Sequence, residues 1–456
     1  MTVPLTLADI AERLQGYDPQ ALSADHVNRF LAELVQPVRD TETVPILQAL
    51  GRIVAQDVIS PISVPPHDNS AMDGYALQGA ALSKDQPTRL RVVGTALAGA
   101  AWTGTVQTGE CVRIMTGAIM PSGLDTVVPQ ELVQTEDGHI TVPAGVLQPG
   151  DNRRLLGEDL MAGQAALHAG ARLTPAACGL LASLGLPEVT VFRRPRVAYF
   201  STGDEILSLG ETPREGAVYD SNRYTVHGLL KQLGCDVIDM GVVKDDPAAL
   251  EAAFRSAAAQ ADAIITSGGV SVGEADHTKA MMKKLGDVAF WRIAMRPGRP
   301  MAVGRLTERG HSAPRFAAGP PQGESAPSGG REPHEVGRVG ALLFGLPGNP
   351  VAVMVTFAAF VRPALQQLMG WQAPPQPLLK ARAEDSLRKK PGRTEYQRGI
   401  VRLAEDSQLS VRITGNQGSG VLSSMVQANG LIVLGHAQGN VTPGDWVDVM
   451  MFDGHL

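Results

Sequence analysis

Residues 261–286 read ADAIITSGGVSVGEADHTKAMMKKLG. An apolar run of strand character, ADAIIT, passes directly into a glycine-rich loop, and the loop passes into a helical stretch. The loop, TSGGVSVGEAD (266–276), carries three glycines, two serines and two acids, Glu274 and Asp276. Glycines expose backbone N–H groups to anions, whereas carboxylates repel them. Taken alone, the stretch is a tight turn followed by a cap. It becomes a ligand loop if a cation sits between the acids and a bound anion.

The same alternation continues on both sides. RVAYFSTGDE is an apolar run ending in a polar loop, and SNRYTVHGLLKQLG starts with Ser221 or Asn222 as a cap and ends at Gly234. CDVIDMGVV is the next strand. In DDPAALEAAFRSAAAQ, Asp246 takes the N-cap and Pro247 the first helical position, with Leu250, Phe254, Ala257 and Ala258 on one face. LLFGLPGNP leads into VAVMVTFAAFVRPALQQL, which is apolar on nearly every side and so reads as buried; its run 351–361 is too short to span a bilayer. Strands alternating with helices predict a doubly wound, parallel α/β sheet. Residues 307–340 break the pattern, being rich in Gly, Pro, Ser and charge with almost no large apolar side chain. Such a segment cannot bury enough surface to offset its ordering entropy, and it reads as a disordered insertion between two strands.

The flanks have a different texture. ADHVNRFLAELVQPV and ILQALGRIVAQDV carry apolar residues at helical spacing, and helical character returns at TPAACGLLASLG (174–185). Between them, RLRVVGTAL, GECVRIMTG, DTVVPQE and HITVPAG are short β-like runs broken by Gly and Pro. From about 376 onward, QRGIVRL, SVRIT, GLIVLG and WVDVMMF suggest a small β barrel. The expected fold is therefore multidomain α/β plus β. A helical linking domain spans 1–61 and 154–194, and an inserted N-terminal β domain spans 62–153. The α/β domain spans 195–375 and the C-terminal β barrel 376–456.

The bulk numbers agree with a soluble, multidomain chain: 456 residues, 44% apolar and 19% charged. A net charge of -6 gives no reason to expect nucleic acid or a membrane as partner. Three widely spaced cysteines without CxxC fit a reducing compartment, and the N-terminus shows neither a basic nor an apolar signal region. The expectation is a cytoplasmic protein.

In doubly wound sheets, ligands bind at the carboxyl ends of the strands, near the point where strand order reverses. Four loops leave such ends here: STGDE (201–205), KDD (244–246), TSGGVSVGEAD and LPGNP (346–350), the last offering Gly348 and Asn349. Each alone is a turn or a cap, and four on one edge point to a shared ligand site. N–H groups at Gly268, Gly269 and the following helix start, with Ser271 beside them, suit phosphate oxygens. Glu205, Asp245 and Asp276 suit Mg²⁺, a hard cation that takes a few carboxylates plus phosphate oxygens and water. A metal bridging acids and phosphate lets one loop carry both. WRIAMRPGRP adds Arg292, Arg296 and Arg299 for an oxyanion, unless they line a solvated strand face. GxxxxGK[ST], Rossmann GxGxxG, HExxH and GxSxG are all absent, which argues against ordinary NTPases, dehydrogenases, zinc proteases and α/β-hydrolases. GNQGSG (415–420) is too weak a signal to use.

The first half has polar stretches of its own: PPHDNSAMDGYAL (65–77) with Asp73, RIMTGAIMPSGLDTVV with Thr116, and NRRLLGEDL (152–160) with Arg153, Arg154, Glu158 and Asp159. Asx turns and caps account for many such residues, so each alone stays open.

In order along the chain, DNSAMDGYA, RIMTGA, GEDL, STGDE, DSNR, DDP, SGGVSVGEAD, RPGRP and LPGNP resemble the motifs of molybdopterin molybdenumtransferases, the MoeA family that also includes the E domain of gephyrin. The resemblance runs from about residue 25 to the end, apart from the insertion. It implies a four-part, elongated subunit and a homodimer, with a β domain of one subunit facing the α/β domain of the other. It implies Mg²⁺-dependent insertion of molybdate into adenylylated molybdopterin with release of AMP. Matched residue by residue, Asp73, Thr116, Arg154, Asp159, Glu205, Asp245 and Asp276 fall on family functional positions. The resemblance thus gives Asp73, Thr116, Asp159 and Glu205 catalytic roles and Arg154 a substrate-binding one. The chain departs from the family in having Arg292, Arg296 and Arg299 where Lys is frequent, and Ala352 where a serine is common. Arg keeps the charge but not the geometry, and Ala352 removes a hydroxyl.

Two other functions fit parts of the chain. The α/β part also resembles molybdopterin adenylyltransferases, which act without the β domains that fill the N-terminal half here. A non-catalytic scaffold of the gephyrin type is the third reading, and the intact acids favour chemistry over it.

Overall fold

The computed structural model describes residues 5–269, 276–306 and 340–452, with the side chain of Asp276 left out. Ser271, the Asp276 carboxylate and residues 307–339 of the expected insertion therefore lie outside the described residues. The chain forms two compact units, Met1–Glu42 with Phe192–Leu456, and Thr43–Val191.

A six-stranded sheet organises the first unit, in the order Asp236–Val243, Arg196–Thr202, Ala263–Ser267, Ala341–Leu346, Pro300–Leu306, Gly286–Arg292. The first four are parallel, as expected. The last two pairings are antiparallel, so Pro300–Leu306 runs against the other five strands and the sheet is mixed rather than wholly parallel. The reason is chain length. A parallel return needs a crossover of roughly a dozen residues or more, and only residues 293–299 separate Gly286–Arg292 from Pro300–Leu306.

Successive side chains of a strand serve opposite faces. Val197 and Tyr199 enter one apolar cluster with Val226, Leu230, Val351 and Phe360. Ala198 and Phe200 enter another with Leu250, Phe254, Met282 and Leu285. Helices Ser221–Leu233 and Pro350–Thr356 supply the first cluster, Pro247–Gln260 and Asp276–Leu285 the second, so the sheet is covered on both sides. The helical run Pro350–Leu368 is long and apolar enough by composition to cross a membrane, yet it is 67% buried here as a core helix.

Local chemistry sets the helix ends. Asp220, rather than Ser221 or Asn222, caps the helix Ser221–Leu233, its side chain accepting from the Arg223 N–H. Gly234 closes that helix at φ +96°. Asp246 caps the next helix by accepting from the Ala249 N–H at 2.8 Å, with Pro247 at its first turn.

Helices Leu7–Arg13 and Ala24–Leu34 belong to the first unit: Leu7, Ile10, Val27, Phe30 and Leu34 share the cluster of Val197 and Tyr199. The expected grouping of 1–61 with 154–194 is thus divided near residue 42. In the second unit, Val44, Ala49 and Val54 pack with Leu173, Leu181 and Val191. The helix expected over 46–58 is only a 3₁₀ turn, Ile46–Gln48, followed by extended chain in which Ile53 bridges Arg172 and Val54 bridges Val191. Gly51 at φ +77° and the β-branched pair Ile53 and Val54 favour that outcome. The rest of the unit holds a six-stranded sheet that includes Gly74–Leu77, Thr88–Ala96 and Glu110–Ile114.

The C-terminal strands close on themselves. Thr394–Leu403 pairs with Leu409–Ile413, then follow Leu379–Ala383, Trp446–Met451 and Gly430–Leu434, which pairs back onto Thr394–Leu403. This is the expected barrel, filled by residues such as Ala381, Val411, Ile432 and Val449.

Candidate functional site

The four parallel strands end on one edge of the sheet, and their loops surround a cleft of about 700 Å³. Strand Arg196–Thr202 pairs on one side with Asp236–Val243 and on the other with Ala263–Ser267, so strand order reverses there, at the place ligands favour. Gly268 and Gly269 lie at that point with φ +90° and +67°. A Cβ on Gly268 would stand 2.5 Å from the Thr202 carbonyl oxygen, and one on Gly269 would stand 2.8 Å from Thr278 Cγ2. Only glycine brings the backbone this close. Beneath the loop, the buried Tyr199 hydroxyl lies 2.9 Å from Ser201 Oγ and 2.7 Å from Ser267 Oγ. Burial raises the Tyr199 phenol, which stays protonated.

Several expected residues meet in this cleft: Glu205, Asp245, Gly268, Gly269, Arg296, Gly348 and Asn349 all line it. Thr278 Oγ1 donates to Asp245 Oδ1 at 3.4 Å, and the Asp245 N–H donates to Asp204 Oδ1 at 3.4 Å. The neighbouring acids Asp245 and Asp246 therefore have separate jobs, one facing the cleft and one capping a helix. Of the three arginines, Arg296 alone is on the wall. Arg292 lies in a strand, its N–H donating to the Pro19 carbonyl, and the exposed Arg299 uses its carbonyl to accept from the Ile293 N–H. Ala352 lines the cleft with a methyl group.

Sequence reasoning missed two sets of lining residues. Gln417 and Ser419 come from GNQGSG, the stretch set aside as weak. That loop is fastened by the buried Arg398, which donates to the carbonyls of Asn416, Gln417 and Gly418. An arginine in a barrel strand was the available signal, but its loop partners are readable only in three dimensions. Asp220 and Asn222 come from DSNR, a stretch that carries the family resemblance and opens a helix but to which the sequence assigns no site residue. Asn222 Nδ2 donates to the Gly348 carbonyl at 2.7 Å and ties two of the loops together.

The remaining expected residues form a separate group inside the second unit. The Thr116 N–H and hydroxyl both donate to Asp73 Oδ1 at 2.7 Å. Those bonds, the backbone one foremost, hold the Asp73 carboxyl below its ordinary value. The polar stretches around these residues are joined to one another: Arg153 and Arg154 pair in register with Ser70 and Asn69, and the Leu156 N–H donates to Asp68 Oδ1. Arg154 Nε donates to Glu158 Oε1 at 2.5 Å, which lowers the Glu158 carboxyl. Asp159 is exposed beside them.

Among the described residues no three acidic, histidine or cysteine side chains are grouped to hold a metal by themselves. Mg²⁺ needs fewer: one or two carboxylates plus substrate phosphate and water suffice. Glu205 and Asp245 beside a glycine cradle fit that requirement.

Three family models match the chain: the MoeA N-terminal region (domain I and II) over residues 22–185, the probable molybdopterin binding domain over 198–367, and the MoeA C-terminal region (domain IV) over 380–452. The molybdopterin molybdenumtransferase of Haemophilus influenzae is 42% identical over 94% of this chain and 98% of its own length. That of Nostoc sp. is 37% identical over 92% and 91%. The crystal structure of the molybdopterin biosynthesis moeA protein of Pyrococcus horikoshii OT3 superposes with a TM-score of 0.76 at 25% identity, covering 95% of this chain and all of that one.

Proposed function

This chain belongs to the MoeA family of molybdopterin molybdenumtransferases, and we propose from that premise how its own residues divide the work. It is an enzyme of molybdenum cofactor biosynthesis, a transferase. The finer reading is insertion of molybdate into adenylylated molybdopterin, with cleavage of the pyrophosphate bond and release of AMP.

One observation carries this reading: four loops from four parallel strands bring a glycine cradle, Glu205 and Asp245 into one cleft. The Gly268 and Gly269 backbone receives phosphate oxygens. Glu205 and Asp245, with Asp276 from the end of the same glycine loop, would hold Mg²⁺. The metal supplies charge neutralisation at the pyrophosphate oxygens. Arg296 holds an oxyanion, with Gly348 and Asn349 beside it. We assign catalytic roles to Asp73, Thr116 and Asp159 and a substrate-binding role to Arg154 in the second unit's polar group, where the Thr116 bonds hold the Asp73 carboxyl below its ordinary value. We further assign a homodimer, a cytoplasmic setting and molybdate as co-substrate.

Incubating the full chain with adenylylated molybdopterin, molybdate and Mg²⁺ tests the reading. AMP release with formation of molybdenum cofactor is the expected result. ATP consumption with bare molybdopterin would instead identify an adenylyltransferase, and inertness in both assays a scaffold.

A further inference from the structure

We propose that Asp220 and Asn222 recognise the hydrogen-bond-donating edge of the substrate's pterin ring, an inference that rests on the function proposed above. Both residues line the cleft, and both are nearly sealed from solvent, Asp220 at 4% and Asn222 at 9% exposure. Each keeps one buried oxygen without a partner, Asp220 Oδ2 and Asn222 Oδ1.

Their other atoms are already committed. Asp220 Oδ1 accepts from the Arg223 N–H at 3.0 Å, so the helix cap uses only half of the carboxylate. The Gly348 carbonyl can only accept, so it must face Nδ2 of Asn222, and this fixes the amide with Oδ1 as the unused atom. Two buried acceptors on one wall of a ligand cleft require donors, because a buried acceptor left unpaired is costly.

The choice of donor follows from chemistry. The 2-amino-4-oxo-pyrimidine edge of a pterin carries a ring N–H next to an amino group, two adjacent donors that suit a carboxylate and an amide oxygen. An adenine edge offers only an amino donor beside a ring acceptor, which would leave one of the two oxygens unmatched. Mg²⁺ asks for near-octahedral oxygen ligands and keeps several waters, a poor match for oxygens this sealed.

The test is Asp220→Asn in the full chain, with Asp220→Ser as a second variant. Both substitutes are good N-caps, so the thermal midpoint should hold. The amide presents either a donor or a weaker acceptor to the pterin edge, and the serine lacks the second oxygen. Binding is read directly with pterin-6-carboxylate through its own fluorescence, and by competition with AMP during turnover. The expected result is a loss of pterin affinity of about tenfold or more, a matching rise in KM and unchanged inhibition by AMP. Unchanged pterin affinity in either folded variant overturns the proposal. Weakened AMP inhibition in its place assigns the pair to adenine, and recovery at high Mg²⁺ assigns it to a cation; both outcomes also overturn it. If the wild-type chain binds pterin-6-carboxylate but releases no AMP, the enzymatic reading fails while the pterin measurement still decides this proposal.

Discussion

Gly268 approaches Thr202 so closely that a Cβ would lie 2.5 Å from the Thr202 carbonyl oxygen. This contact joins the ends of two adjacent parallel strands where the sheet reverses its order. Gly268→Ala therefore meets both a clash and a backbone at φ +90° that an L side chain rarely adopts. The expected cost is at least about 1 kcal/mol of stability, with a large loss of AMP release. A variant with wild-type melting and wild-type turnover would remove the glycine cradle from the site.

Asp245 and Asp246 should separate cleanly on substitution. Asp246→Ala removes a helix cap and should cost about 1 kcal/mol of stability while leaving kcat unchanged. Asp245→Asn keeps the shape but loses the charge that faces the cleft. It should leave the thermal midpoint unchanged and lower AMP release by orders of magnitude, with partial recovery at high Mg²⁺. Asp276→Asn should behave like Asp245→Asn. Silence of both Asn variants at ordinary Mg²⁺ would leave those acids as turn and cap residues.

Arg296 is the arginine on the cleft wall, whereas Arg292 and Arg299 are not among its lining residues. Arg296→Ala should raise KM for molybdate about tenfold, the loss expected for a charge-assisted hydrogen bond. Arg299→Ala should change it far less. Equal effects from the two variants would mean general electrostatic attraction rather than a built contact.

The Thr116 N–H and hydroxyl lower the Asp73 carboxyl below its ordinary value. Thr116→Val removes the hydroxyl donor but keeps the N–H, so the Asp73 titration should move upward yet remain below its ordinary value. A carboxyl depressed in the fold stabilises above its unfolded pKa, and that contribution is lost as pH falls through the folded one. Asp73 therefore weakens the protein only on the acid side of the ordinary Asp range. Side-chain carboxyl NMR across that range checks the shift, and an unmoved titration would leave the backbone bond as the whole cause.

Leu306 and Ala341 are register partners in an antiparallel pair, so the ends of the 307–340 stretch are already neighbours. Replacing residues 310–336 with a short Gly-containing turn should leave folding and AMP release intact. Loop-closure entropy changes by only about 0.6 kcal/mol per doubling of length. A well-folded deletion variant with little activity would show that the stretch touches substrate or a partner.

The sequence by itself determined the alternation of strand and helix, the buried helix after LPGNP, the Asp246 cap and the closing barrel strands. These follow from side-chain period, turn residues and capping chemistry, which act over a few neighbours. It also placed Glu205, Asp245, Gly268, Gly269 and Gly348 on loops that the structure gathers around one cleft, because loops at the carboxyl ends of parallel strands must share an edge. Tertiary structure alone decided the rest. The antiparallel pairing of Pro300–Leu306 with Ala341–Leu346 came from pairing across the sheet, and the extended run at Ile53 and Val54 from bridges to Arg172 and Val191. Arg296 was separated from Arg292 and Arg299 by which side chain reaches the cleft. Asp220 and Asn222 were hidden because a helix start reads the same whether its second carboxylate oxygen faces water or a sealed wall. Burial is set by residues far away in the chain, and no local pattern records it.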